Sequence, residues 1–388
     1  MDCKELFFAF IRNEACGDAS VKLQKEELST DLLSKLYKLA RLHDMAHLVA
    51  NALSPYESMM EEAVREKFRK QKMLSFFRYE TMNYEFQQVS ALLEQADLPF
   101  IPLKGTILRE DYPQPWMRTS CDIDIFVDRK NLDRAINLLV DQLSYRVGEK
   151  WTHDVALYSP SGVHIELHFN LVEDGRFGSF QTILPKVWEY TRVREGYRFF
   201  TEMTDDMFYF YHIAHMAKHF EIGGCGVRSF LDVWILNHRR EFDREKREAL
   251  LREGGLLTFA QQVEQLADFW FSGVSGTETV QRLENFVLRA GVYGTTENMV
   301  ALGQAENGGK ALYVLHRIFL PYSALKEQYP IIIRRKWLTP FCQVIRWFRL
   351  VFRGGVKQSI NELNVNTKLS DERVKQISDL MNEIGLEK

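Results

Sequence analysis

TSCDIDIFVD, residues 119–128, sets two aspartates inside a run that otherwise has the apolar residues of a buried strand. Residues two apart in a strand point the same way, so Asp122, Asp124 and Phe126 share one face and Ile123, Ile125 and Val127 the other. The spacing predicts a strand that buries its odd-numbered face and exposes its even one, as half-covered antiparallel or mixed sheets do. Carboxylates this close repel unless a cation, water or a basic side chain lies between them, and Mg2+ prefers such oxygen ligands. The plainer alternative is a solvated strand face with Arg118 or a lysine as counter-ion.

The flanking sequence extends this into a compact α/β unit. LPFIPL (98–103) reads as a short strand that leads through Lys104-Gly105 into a helix-like TILRED. DRKNLDRAINLLVDQLSY is an amphipathic helix, and DVALY and GVHIELHFNL flank SPSG as a β-hairpin. In the second hairpin strand the alternation turns Val163, Ile165, Leu167 and Phe169 inward and His164, Glu166, His168 and Asn170 outward. Glu166 is thereby a third carboxylate on a neighbouring strand, unless it is simply a surface residue. Three acids so placed can hold two divalent ions about 4 Å apart, the arrangement used in phosphoryl and nucleotidyl transfer. Lys104-Gly105 opens a helix whose N–H groups suit a phosphate, although the Walker A pattern is absent and a simple turn explains the pair equally.

Elsewhere the pattern is helical. Residues 1–97 read as three or four helices, the last a long charged one from about Glu61 to Gln95 that braces another part of the chain. We divide the remainder into an α/β core at 98–200, a helical domain at 201–320, and a basic helical segment with a tail at 321–388. TENMVALGQAENGGK (296–310) reads as a loop. The fold class is α+β, a small mixed-sheet core embedded between helical regions. With 388 residues and 46% hydrophobic content the chain can bury a large core, and a net charge of -3 gives no global reason to bind nucleic acid. Five scattered cysteines without CxxC spacing argue against a disulfide framework or a cysteine zinc site and fit a reducing cytoplasm. The first residues do not resemble a secretory signal, and no stretch reaches the roughly 18 apolar residues of a membrane span.

Taken together, Leu103-Lys104-Gly105, Arg118 followed by the strand from Asp122 to Val127, and Ile165-Glu166-Leu167-His168 resemble the DNA polymerase β-type nucleotidyltransferase superfamily. They are more closely similar to the uncharacterised bacterial nucleotidyltransferase-like family. The similarity continues through HMAKHF (215–220) and VRSFLDV (227–233) and spans about 30–350. The usual glycine-serine pair is replaced by Lys104-Gly105-Thr106, with Gly105 lying 17 positions before Asp122. The resemblance implies that Asp122 and Asp124 bind Mg2+ or Mn2+ and the triphosphate of an NTP, ATP by default. It implies that Glu166 completes the metal site and serves as base; Lys104, Gly105 and Thr106 at the helix start, and Arg118 ahead of the acids, are the candidates for phosphate contact, with neutralisation of Asp122 the other role for Arg118.

His212, His215 and His219 fall near one helix face beside Lys218. Zinc binding or core packing would account for them; the resemblance implies instead that Lys218 or His219 reaches phosphate. Arg228 and Asp232, four apart, suit an ordinary helix ion pair or a place in the cleft. From Ile331 to Lys357 there are seven basic residues, Arg334, Arg335, Lys336, Arg346, Arg349, Arg353 and Lys357, and no acid. Such a helix meets a polynucleotide or membrane surface, or more commonly packs its apolar side on the body and solvates its arginines. The resulting expectation is a Mg2+-dependent nucleotidyltransferase acting on an acceptor hydroxyl of a small molecule, protein or RNA. A DxD-type glycosyltransferase and a non-catalytic nucleotide-binding protein are the alternatives.

Overall fold

The structure is a computed structural model that describes all residues except 19–20, 25–27, 173–178, 353–355 and 387–388. Four N-terminal helices, α1 (Cys3–Ile11), α2 (Thr30–Leu42), α3 (Ala46–Ala52) and α4 (Glu62–Gln95), precede the sheet. Local chemistry starts them. Asp2 and Glu5 form a reciprocal capping box at α1, and Ser29 Oγ accepts the Leu32 N–H at α2. At 34 residues α4 is about 50 Å long, and it does brace the sheet. Its buried Glu85 accepts hydrogen bonds from Tyr145 Oη and Ser161 Oγ, both at 2.6 Å, and Glu94 accepts the backbone N–H groups of Arg198, Phe199 and Phe200.

The sheet comprises β1 (Phe100–Pro102), β2 (Asp122–Val127), β3 (Arg146–Lys150), β4 (Asp154–Tyr158) and β5 (His164–His168) in the order β1-β2-β5-β4-β3. Only β2 and β5 run parallel; the other pairs are antiparallel, so the sheet is mixed as expected. The short helices α5 (Gly105–Leu108) and α6 (Leu132–Leu143) follow β1 and β2. β3 escapes the alternation rule because a register shift between Val147 and Lys150 breaks its pattern. A two-stranded ribbon, β6 (Thr191–Val193) with β7 (Thr201–Met203), is too short to leave a pattern.

Two helices, α7 (Asp205–Glu221) and α8 (Val227–Arg239), then lie against the acid-bearing face, and further helices run to Glu383. One hydrophobic cluster extends from Leu6 to Leu386, and a small separate one joins Leu325, Ile332 and Cys342. Residues 296–307, read as a loop, are a helix whose N-cap Thr295 accepts the Asn298 N–H.

Two further expectations change. The even-numbered face of β2 is not solvated: Asp124 is 2% exposed, and Phe126 packs on Trp188 at a ring separation of 5.6 Å. The C-terminal basic helix, Thr339–Phe352, is turned opposite to the common arrangement. Arg346 points inward and donates to the carbonyls of Arg317 and Ile318, whereas Phe341, Val344, Ile345, Phe348, Val351 and Phe352 face solvent. Arg353 lies outside the described residues.

Candidate active site

The parallel register of β2 and β5 sets Asp122 opposite His164, Asp124 opposite Glu166 and Phe126 opposite His168. Partners across a ladder project to the same face, so the three acids and two imidazoles converge. The ligand atoms of Asp122, His164 and Glu166 lie within 4.8 Å of one another, as do those of Asp124, Glu166 and His168. Either set could hold a divalent ion.

Asp124 is the fixed point. Its Oδ1 accepts from Lys104 Nζ and His168 Nε2, each at 2.8 Å, and His168 Nε2 is also 3.4 Å from Glu166 Oε2. Burial would raise the Asp124 carboxyl, but the Lys104 charge and the His168 bond prevail and hold it well below the usual carboxylate range. Lys104 is raised in turn: burial opposes its charge and Asp124 outweighs it. Burial would also lower His168, and its bonds to Asp124 and Glu166 raise it instead. Asp122 goes the other way, pushed up to about 6 by burial and then by repulsion from Asp124, which Lys104 only partly offsets. The face thus retains unbalanced negative charge at its open end. The question posed by two acids in a buried strand is answered in part by a lysine.

Lys104 sits at φ 48°, ψ -128°, a conformation that costs a non-glycine residue about 1–3 kcal/mol. That geometry turns the chain sharply off β1 and brings the ammonium under Asp124. Gly105 lines the cleft, and a Cβ there would lie 3.3 Å from both Arg118 Nη1 and Ser120 Cβ. Thr106 is buried and is not among the residues around the cleft.

Arg118 lines the cleft, but its guanidinium is engaged by other partners. Its Nε donates to both oxygens of the fully buried Asp232 at 2.7 and 3.0 Å, and Tyr112 Oη donates to Asp232 Oδ1 at 2.6 Å. The expected Arg228–Asp232 helix pair is therefore replaced. Arg228 Nη1 reaches Asp44 Oδ2 at 2.5 Å and the Thr119 carbonyl at 3.1 Å. A solvated helix pair is worth only a few tenths of a kcal/mol, and buried bonds to other elements outweigh it.

α7 supplies the opposite wall. His212, His215, Lys218 and His219 line a cleft of about 430 Å3 together with Lys104, the three acids and Arg228. The His215 and His219 rings meet edge to face at 4.5 Å. His212 Nε2 donates to the Ser229 carbonyl at 3.2 Å, and no group of three metal-ligating side chains forms on α7 among the described residues. Burial, then the charges of His219, Lys104 and Lys218, drives His215 well below its ordinary value. The cleft thus has an acidic wall on the sheet and a cationic one on α7 and α8. A second chamber of about 490 Å3 shares Lys104, Trp151, His153, His168, His215 and Lys218 with it and adds Phe180, Leu184 and Ile222.

Sequence reasoning placed His164 and His168 on the correct face but missed His168 as the partner of Asp124. The signal was available in the two-residue spacing of His164, Glu166 and His168.

A family model described as an uncharacterised nucleotidyltransferase matches residues 31–272, more than half of the chain. Among solved structures the chain is similar to the antibiotic-resistance factor ANT(2'')-Ia, at 12% identity and a TM-score of 0.32, over 44% of this chain and 90% of that one. It is also similar to terminal uridylyl transferase 4 from Trypanosoma brucei with bound GTP, at 12% identity and a TM-score of 0.24, over 60% of this chain and 72% of that one. A search of curated proteins returns no match.

Proposed function

Because the chain belongs to this nucleotidyltransferase family, we propose that it moves an NMP from an NTP to an acceptor hydroxyl, using Mg2+ or Mn2+ held by Asp122, Asp124 and Glu166. The observation that carries this reading is the convergence of the three carboxylates at the rim of a cleft whose facing wall is cationic. The donor set fits a hard divalent ion: carboxylate oxygens dominate, and the repulsion that raises Asp122 is what a bound cation relieves. Such an ion would neutralise triphosphate charge and favour attack at the α-phosphorus.

The protein groups divide the remaining work. Lys104 and His168 keep Asp124 ionised and oriented, while the half-buried Asp122 and Glu166 remain accessible from the cleft. Lys218 and His219 bind the phosphates from α7, and Arg228 adds positive charge behind them. Glu166 takes the proton of the acceptor hydroxyl. The second chamber, with Trp151, Phe180 and Leu184 on its walls, takes an acceptor with an apolar or aromatic portion.

One observation favours a second reading. The Lys104 ammonium at 2.8 Å from Asp124 already supplies a cation where a metal would go, as suits a scaffold that binds nucleotide without turnover. Calorimetric titration of ATP, CTP, GTP and UTP with and without Mg2+, in wild type and in the Asp122→Asn, Asp124→Asn double variant, tests both. Binding that needs metal and acids, with pyrophosphate release across an acceptor panel, supports the transferase. Binding without release supports the second reading, and no binding by any NTP removes both.

A further inference from the structure

The segment Ile331–Phe352 has an orientation that the cleft does not explain. The helix Thr339–Phe352 is tied to the preceding chain through its polar side: Gln343 donates to the Leu320 carbonyl at 2.6 Å, Arg346 to the Ile318 carbonyl at 3.0 Å, and Trp347 Nε1 to the same carbonyl at 2.9 Å. Its opposite side carries Phe341, Val344, Ile345, Phe348, Val351 and Phe352, all exposed, Phe352 by 82%. Trp337, 67% exposed, extends this apolar face at its N-terminal end. Single apolar residues at a surface are ordinary; six on one side of one helix form the kind of patch that marks an interaction site.

We propose that this face docks the protein on an anionic lipid bilayer. The charge around the patch selects that partner. Arg334, Arg335, Lys336, Arg349 and Lys357 are exposed, and no acid occurs between Ile331 and Lys357. A helix with an apolar strip, flanking cations and a tryptophan at its end lies in the headgroup region, its strip in the acyl boundary and its cations on lipid phosphates. A second copy fits less well, because isologous pairing would bring the same cations together with no acid in the segment to meet them. RNA would satisfy the cations and leave Val344, Ile345 and Val351 in water. No described helix is long and apolar enough to cross a membrane, so the attachment is peripheral. This inference stands independently of the chemistry assigned to the cleft.

The test is sedimentation of the full chain with vesicles of phosphatidylcholine containing a third phosphatidylglycerol, against vesicles of phosphatidylcholine alone. The expected result is binding to the anionic vesicles only, weakening as salt rises. The variant Phe341→Ser, Phe348→Ser, Phe352→Ser and the variant Arg334→Glu, Arg335→Glu, Lys336→Glu should each lower partitioning at least about a hundredfold. Both change exposed side chains, so circular dichroism and the unfolding midpoint should match wild type; Phe348→Ser alone serves if the triple variant does not fold. Absence of wild-type binding, or binding indifferent to the phenylalanines, overturns the proposal. So does a concentration-dependent dimer abolished by the apolar variant without vesicle binding, or retention of single-stranded RNA that only the charge variant loses.

Discussion

Replacing Lys104 with methionine keeps the length of its stem and deletes the ammonium from Asp124, whose side chain is 3% exposed against 24% for Lys104. Removing one partner of a buried ion pair costs about 3–5 kcal/mol, because the remaining charge is stranded. His168 still donates to Asp124 at 2.8 Å, and Lys104 is only mostly covered, so about 2–3 kcal/mol at pH 7 is the expected loss. The pH dependence gives the sharper test. Asp124 is held below its unfolded pKa of about 3.9. Its stabilising contribution is therefore present above that value and lost as pH falls through it toward the folded pKa. Without Lys104 only His168 opposes burial, so the carboxyl rises from its wild-type position and the variant loses less stability in this window. The gap between wild type and Lys104→Met should be full at pH 7 and shrink between about pH 5 and pH 3. Urea unfolding followed by circular dichroism at a series of pH values measures it. A gap unchanged down to pH 3, or none at pH 7, would refute the ion pair. The backbone supplies a control: at φ 48°, Lys104→Gly should be about 1 kcal/mol more stable than Lys104→Ala.

Other outcomes follow from the same geometry. Asp122, with a folded pKa of about 6 above its unfolded value, destabilises the metal-free protein when ionised. Asp122→Asn should therefore stabilise it by about 1–3 kcal/mol at pH 8 and not at pH 4, while abolishing metal-dependent NTP binding, by unfolding midpoints and calorimetry. Arg118→Met leaves the fully buried Asp232 with Tyr112 and should cost about 3–5 kcal/mol, with part recovered when Asp232→Leu is added; urea midpoints of the three variants decide it. At Gly294, φ is +75° and a Cβ would lie 2.5 Å from the Gly223 carbonyl carbon. Gly294→Ala should accordingly lower thermal stability by about 2 kcal/mol or more.

The legible part of the site was the part governed by period two. Ile123, Ile125 and Val127 against Asp122 and Asp124 located β2, and the same alternation turned Glu166 and His168 to the shared face. What the sequence did not disclose depends on which element comes to lie on top. Nothing local to Lys104 says that its ammonium ends on Asp124, 20 residues away, or that Arg118 reaches Asp232, 114 residues away. The orientation of the helix Thr339–Phe352 was hidden for a related reason. Amphipathicity shows that a helix has two sides, whereas the carbonyls of Leu320 and Ile318 decide which side faces in. The helix at 296–307 was missed because its Gly303 and polar residues imitate a loop, although Thr295 is an ordinary N-cap.

The Arg118–Asp232 and Asp44–Arg228 pairs constrain the order in which the chain can assemble. Asp44 meets Thr119 and Arg228 across 75 and 184 residues, and Arg118 meets Asp232 across 114. Arg118 therefore lacks its main countercharge, Asp232, until α8 has been synthesised and docked. Closing such long loops is slow, and it earns contact energy only at the last step. The N-terminal 200 residues alone would leave Arg118 without its buried partner. Folding of the acid strand is thus bound to the helical layer, and its completion waits for the arrival of residue 232.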